Sequence, residues 1–241
     1  MTDHYTFSYI GDRDYNEDYT VTSVSENRAC FIVCDGLGGQ GKGDLASSLV
    51  AKSIQHSFQE KYTTEGFFER AFLDAEHELE QKKRELGYKR EMMTTATALV
   101  IDGETAGWCH SGDSRLYLFM KNRLMKRTID HSVPQMLVMS GEIKEKDIRF
   151  HPDRNRLLKV MGTGWDDLEA DVSEEIRVEP GMAFLLCTDG FWENVDENVM
   201  QKLLKKSTTA KEWVEKMGEH ARKSAKPGNM DNASAIGVII V

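Results

Sequence analysis

Three aspartates stand where an apolar run gives way to a turn. Asp35 follows Ala-Cys-Phe-Ile-Val-Cys and precedes Gly36. Asp189 follows Ala-Phe-Leu-Leu-Cys-Thr and precedes Gly190, and Asp231 precedes Asn232 and the apolar stretch from Ala233 to Val241. An aspartate at the end of a strand is held on a rigid element while its carboxylate faces the rim. Three such rims brought together would make a cluster of negative charge that costs several kcal/mol unless a cation neutralises it. Ligands that are all oxygen select hard cations such as Mg2+ or Mn2+. Taken singly, Asp-Gly is also good turn chemistry, so the weight falls on what flanks each pair.

Two other stretches have the spacing of phosphate chemistry. Cys109-His110-Ser111-Gly112-Asp113-Ser114-Arg115 fits Cys-x-x-Gly-x-x-Arg, the loop in which a cysteine thiolate attacks phosphorus while loop amides and the arginine bind the phosphate. Against that use, Trp108 and Leu116 replace the usual neighbours, and Asp113 would put a negative charge inside a loop built for an anion. A buried Cys109 in a strand before a Gly-Asp turn is the structural alternative. The run from Gly36 to Gly43 nearly spells a P-loop, but Gly43 stands where a serine or threonine hydroxyl should bind Mg2+.

The elements that would position these residues can be read coarsely. Residues 29–34 are a buried strand ending in a turn. Asp44 could cap a helix over about 45–62 in which Leu45, Leu49, Ile54 and Phe58 recur at helical spacing. A second helix is expected from Glu65 to Leu86, with Phe67, Phe68, Ala71, Phe72, Ala75 and Leu79 on one face and Gly87 at its end. Strands are expected over 95–101, 105–110, 115–120 and 123–128, with Lys121-Asn122 as a hairpin turn. A short helix over 132–139 leads to a polar, irregular stretch, 142–155. Residues 174–178 and 182–187 read as strands, 196–206 and 209–223 as helices, and 233–241 as a last strand. Strands do not alternate one for one with helices, so a sheet pair covered by helices fits better than a doubly wound parallel sheet.

Composition narrows the function classes. The 241 residues suit one sizeable domain, taken as 1–241, with no repeat or low-complexity linker. A 40% hydrophobic and 29% charged chain is of the soluble globular kind. A net charge of −9 argues against nucleic acid as the main partner, because that binding is driven by neutralising phosphates. Cys30, Cys34, Cys109 and Cys187 form no Cys-x-x-Cys pair, so they read as reduced, buried thiols of a cytoplasmic protein. No stretch approaches the roughly 20 apolar residues of a membrane span, and no signal-peptide pattern opens the chain.

In sequence order, the flanks are Arg13-Asp14-Tyr15-Asn16-Glu17-Asp18, Asp35-Gly36-Leu37-Gly38-Gly39, Thr94-Thr95-Ala96, Gly112-Asp113-Ser114-Arg115, Asp130-His131-Ser132, Thr188-Asp189-Gly190 and Asp231-Asn232. In this order and at these separations the chain resembles the type 2C family of metal-dependent protein phosphatases, from about Phe7 to Val241. The resemblance implies an α+β fold: an α-β-β-α sandwich of two packed antiparallel sheets flanked by pairs of antiparallel helices. It implies hydrolysis of phosphoserine and phosphothreonine in proteins by a hydroxide bridging two Mn2+ or Mg2+ ions, without a phosphoenzyme. Asp35 would bridge both ions, the Gly36 carbonyl and Glu17 would serve one, and Asp189 and Asp231 the other. Asp18 would orient water, and Arg13 would grip the phosphate. A third, weaker site would use Asp113 and, four residues beyond Asp189, Glu193. Leu37 stands where some relatives carry a proton-donating histidine, which leaves that proton to water or to a group such as His131. The stretch 142–155 is the expected substrate-facing flap. Partners implied are phosphorylated proteins and a cognate Ser/Thr kinase, in signal transduction, with neither nucleic acid nor membrane. The competing functions are a cysteine-dependent phosphatase using Cys109 and Arg115, and a pseudophosphatase that only binds. The complete ligand set speaks against the second.

Overall fold

Alternation along one strand sets the layering. In β3 (Arg28–Leu37) the side chains of Cys30, Ile32 and Cys34 pack against helices, while those of Ala29, Phe31 and Val33 pack against a second sheet. A strand buried on both faces needs an unbroken apolar run, and residues 29–34 supply it.

In this computed structural model, residues 2–38, 42–60, 66–88, 91–165, 167 and 169–241 are described. Gly39 and the rest of the glycine run through Gly41 lie outside them, as does Glu65, the expected start of the second helix. β3 belongs to a sheet ordered β10 (Ile176–Arg177), β6 (Thr105–Ser111), β5 (Ala96–Asp102), β3, β2 (Asp18–Val24). β4 (Met93–Thr94) pairs with the end of β3, and β9 (Asp171–Val172) with β6. The second sheet is ordered β1 (Thr2–Tyr9), β12 (Ala233–Ile240), β11 (Met182–Cys187), β7 (Arg115–Met120), β8 (Arg123–Arg127). All these pairings are antiparallel.

The sheets stack through Phe31, Leu99 and Trp108 on one side and Leu116, Phe184 and Ile236 on the other. α1 (Gly43–Glu60) and α2 (Phe67–Leu86) cover the outer face of the first sheet. α4 (Asp189–Trp192), α5 (Glu197–Leu204) and α6 (Ala210–Ser224) cover that of the second, with Trp213 set edge-on against Phe119. α3 (Val133–Met139) and a 3-10 helix (Glu145–Phe150) lie in the crossing from β8 to β9. The result is the expected sandwich of two antiparallel sheets between layers of helix.

Several local expectations need correction. β1 and β2 were not anticipated. β1 is an edge strand that draws its order from eight residues paired with β12 rather than from an apolar run. Asp44 is not a cap: α1 starts at Gly43, and Asp44 lies in its first turn. Leu45 is exposed, and the buried stripe runs Ala46, Val50, Ile54, Phe58. The polar stretch 142–155 is not wholly irregular. Arg149 ties its 3-10 helix to the Trp192 carbonyl at 2.8 Å and to Glu197 at 2.9 Å. Strand structure in 174–178 is confined to Ile176–Arg177. Lys121 and Asn122, at φ 48° and 65°, form the expected hairpin turn, in which both central residues need positive φ.

Candidate metal centre

The inner faces of both sheets change from apolar to polar as they reach one rim. On β3 the alternation that turns Phe31 and Val33 inward also turns Asp35 inward. Asp18 of β2 stands opposite Asp35 in register. From the other sheet come Asp189, directly beyond β11, and Asp231, just ahead of β12. Asp113 sits in the turn between β6 and β7. A cleft of about 490 Å³ is lined by Arg13, Glu17, Asp35, Asp113, Asp189 and Asp231, and its wall also includes Tyr15, Leu37, Asn155 and Leu157.

Small polar residues fix the carboxylates. The Asp35 amide donates to Thr95 Oγ1 at 3.0 Å, and the Asp35 carbonyl accepts from Thr94 Oγ1 and the Thr95 amide, both at 2.8 Å. Thr188 Oγ1 donates to Asp18 Oδ2 at 2.9 Å, tying the two sheets together at the rim. Asn232 donates to the carbonyls of Ile10 (2.7 Å) and Tyr15 (3.0 Å) and accepts from the Glu17 amide (2.8 Å), which fastens the Arg13–Asp18 segment to β12. Glu17 Oε1 accepts from the Gly43 amide at 3.1 Å. Gly36 must be glycine for want of room, since a Cβ there would lie 2.1 Å from the Gly43 carbonyl oxygen. A Cβ on Gly43 would in turn lie 2.6 Å from Glu17 Oε1 and 2.7 Å from the Gly36 carbonyl oxygen. Gly36 and Gly43 therefore let α1 start against the Gly36 carbonyl and the Glu17 carboxylate.

Crowded carboxylates raise one another's proton affinity. Burial pushes Asp18 up to about 8, with Asp189 and Asp231 adding to it and hydrogen bonds from Ser234 and Thr188 opposing it. Burial pushes Asp35 well above the carboxylate range, helped by Asp189, Asp18, Asp113 and Asp231. Asp189 reaches about 6, chiefly through burial and then Asp231, while a hydrogen bond from Asp35 holds it down. Asp113 rises well above its ordinary value through burial and Asp189. The only cation bonded to this cluster among the described residues is Arg13, Nη2 to Asp231 Oδ2 at 2.7 Å.

Such a cluster fits a cation on two grounds. Its donors are all oxygen, the set that hard divalent ions take. Asp18 Oδ1 and Asp189 Oδ1 are buried without a hydrogen-bond partner among the described residues, whereas a buried polar atom ordinarily has one. Of the two residues suggested for a third site, Asp113 is buried with its carbonyl accepting from Trp192 Nε1 at 3.0 Å. Glu193 is engaged by Arg154, Nε to Oε1 at 2.8 Å. Arg154 escaped sequence reasoning because nothing in a polar loop marks which arginine turns inward.

The cysteine-centred constellation is not assembled. Cys109 has no exposed surface, burial drives its thiol well above the ordinary range, and it packs beneath the helices rather than at the rim. Arg115 forks onto Asp130 at 2.8 and 2.6 Å instead of facing a phosphate loop. Of the near P-loop, residues 39–41 lie outside the described residues, and Lys42 lies 3.8 Å from Glu91. His131 does not line the cleft. Its Nδ1 accepts from the Gly112 amide at 3.2 Å, so the proton-donor role suggested for it finds no geometry here. The ligand atoms of His110, His131 and Asp171 lie within 4.8 Å of one another, yet the two rings are stacked at 14°, so their in-plane lone pairs cannot converge on one ion.

Comparison with known proteins agrees with this geometry. The family model described as "Protein phosphatase 2C" matches residues 8–232. The chain is 30% identical over 242 residues to the serine/threonine phosphatase stp of Listeria welshimeri, covering 93% of this chain and 90% of that protein. The solved structure of the serine/threonine phosphatase Stp1 from Staphylococcus aureus superposes with a TM-score of 0.88 at 26% identity, covering 100% of this chain and 96% of that one. The catalytic domain of the phosphatase PstP, solved in complex with two manganese ions, gives a TM-score of 0.85 at 23% identity over 100% of this chain and 98% of that one, a likeness of fold.

Proposed function

This chain belongs to the protein phosphatase 2C family, and on that premise we propose that its carboxylate rim hydrolyses phosphoserine and phosphothreonine in proteins with two divalent cations, Mn2+ or Mg2+, in place. It is a protein serine/threonine phosphatase. One observation carries the two-cation reading: carboxylates from five separate stretches of chain meet at one rim, and Asp18 and Asp189 each keep a buried oxygen without a hydrogen-bond partner among the described residues.

Asp35 would serve both ions, with the Gly36 carbonyl and Glu17 on one side and Asp189 and Asp231 on the other. Asp113 and Glu193 would serve a third, weaker one. When bound, the ions would lower the pKa of an attacking water toward neutrality and offset charge on the phosphate oxygens. Asp18, whose Oδ1 has no partner among the described residues, is available to orient that water as an acceptor. Arg13 uses only Nη2 on Asp231, which leaves a guanidinium edge for two phosphate oxygens. No cysteine, serine or histidine lines the cleft among the described residues, which supports direct attack by water and no phosphoenzyme. With no histidine in that lining among the described residues, we assign the leaving-group proton to water. We take residues 1–241 as one catalytic domain. Its partners would be phosphorylated proteins and the kinase that modifies them, in the cytoplasm. No helix among the described residues is long and apolar enough to cross a membrane.

Turnover of a phosphothreonine peptide in the presence of Mn2+, abolished by EDTA and restored by added Mn2+, is the expected result. In H2-18O the label should enter the released phosphate in a single turnover. Hydrolysis that persists under complete chelation would overturn the reading.

A further inference from the structure

α2 buries two charged side chains on one flank. Glu76 is 0% exposed and Lys83 3%. They stand two helical turns apart and so share a face. Glu76 accepts the Gly162 amide on Oε2 at 2.6 Å and the Gly164 amide on Oε1 at 2.7 Å, and the Trp165 amide also bonds to it. Lys83 Nζ donates to the Gly162 carbonyl and to Glu80 Oε1. Both backbone groups of Gly162 are thus held by α2. A buried carboxylate is costly unless hydrogen bonds replace its water. A helix that had only to pack would carry an apolar residue here, as it does at Phe72, Ala75 and Leu79.

What the pair holds is one hydrogen-bonded step from the rim. Met161 and Thr94 exchange amide-to-carbonyl bonds at 2.9 and 3.1 Å. Thr94 stands opposite Gly36 in register, and its Oγ1 donates to the Asp35 carbonyl at 2.8 Å. Upstream, the same segment carries Asn155 and Leu157 to the cleft wall. Gly162, at φ 92°, fits against this ladder only because it lacks a side chain: a Cβ would lie 2.6 Å from the Met92 carbonyl oxygen.

We propose that Glu76 is a positioning residue for the cation site: by fixing residues 162–165 it fixes Thr94, and through Thr94 the backbone of Asp35 and Gly36. This rests on the reading above that those two residues hold cations.

The test compares Glu76→Gln and Glu76→Ala with the wild type by Mn2+ titration calorimetry, steady-state kinetics and amide hydrogen exchange. Partners of metal ligands typically cost 10–100-fold in affinity or activity when lost. Glu76→Ala should therefore bind Mn2+ about 10-fold more weakly and lower kcat with little change in KM. Glu76→Gln, which keeps one acceptor oxygen, should recover part of both. Should the alanine variant fail to fold, wild-type protein alone decides. Coupling is reciprocal, so Mn2+ should slow exchange at the Gly162 and Gly164 amides together with that of Thr95. Wild-type Mn2+ affinity and kcat in Glu76→Gln, or Mn2+ protection that reaches Thr95 and stops before Gly162, would overturn the proposal. Wild-type protein that binds no Mn2+ would overturn the cation reading itself, and this one with it.

Discussion

Arg13 lies 218 residues from Asp231 in sequence, and its Nη2 donates to Asp231 Oδ2 at 2.7 Å. The side chain is 58% exposed, so it is free to exchange that partner for an incoming anion. Arg13→Ala should lower kcat/KM for p-nitrophenyl phosphate by about 10- to 100-fold, the range of charge-assisted hydrogen bonds worth roughly 1.5–3 kcal/mol. Arg13→Lys should recover only part, since an ammonium cannot fork onto two oxygens. Steady-state kinetics of the two variants checks this, and equal activity of wild type and Arg13→Ala would remove Arg13 from the phosphate site.

Asp35→Asn and Asp189→Asn should each reduce turnover by more than about 100-fold while leaving the fold intact. In EDTA the first should melt no lower than the wild type and is expected to melt higher, because one member of a self-repelling set has gone. A gain of about 1 kcal/mol corresponds to about 2–4 °C at this chain length. Differential scanning calorimetry with and without Mn2+ reads both effects. Added Mn2+ should raise the melting temperature of the wild type but much less that of the variants.

Cys109→Ser separates water from thiolate as nucleophile. The thiol is enclosed among apolar side chains, so a hydroxyl in its place should cost about 1–3 kcal/mol of stability and leave kcat nearly unchanged. Loss of turnover in a folded Cys109→Ser protein would revive the cysteine mechanism.

His131 gives the fold an acid limit. Burial, then the neighbouring His110, lowers it from 6.5 to about 4, and Lys159 adds to this while Asp171 opposes it. The unfolded chain therefore takes up a proton in the interval from about 6.5 down to about 4 that the folded chain refuses, so this contribution to stability is full above that interval and is lost as pH falls through it. His131→Asn should flatten the decline in melting temperature across the same interval. Identical pH profiles for the two proteins would show that His131 is not the group responsible.

How much of this was legible in the sequence depended on whether a residue's neighbours along the chain define its surroundings. Residues 29–34 could be read because a strand buried on both faces is apolar throughout, and Lys121-Asn122 because a two-residue hairpin turn demands positive φ. β1, Thr-Asp-His-Tyr-Thr-Phe-Ser-Tyr, could not, since an edge strand is defined by its partner, here β12. At the rim, Asp35, Asp189 and Asp231 stood out as carboxylates closing or opening apolar runs. Thr188 and Asn232 stood beside them without a readable role, because a small polar residue gains one only from what lies across the sandwich, as Thr188 does from Asp18. Glu76 was hidden more completely: on a helix full of glutamates, only the approach of residues 162–165 distinguishes it from its exposed neighbours.

β12 is an interior strand of its sheet, between β1 and β11, and carries Asp231 and Asn232 at its entrance. During translation the strands on either side of that slot leave the ribosome well before the strand that fills it. A nascent chain can therefore stack its first sheet against α1 and α2 while the second still lacks the strand that joins β1 to β11 and the rim still lacks a carboxylate. A product that stops ahead of Asp231 would lack both a rim carboxylate and the strand that joins β1 to β11, and is expected to be inert toward phosphorylated targets.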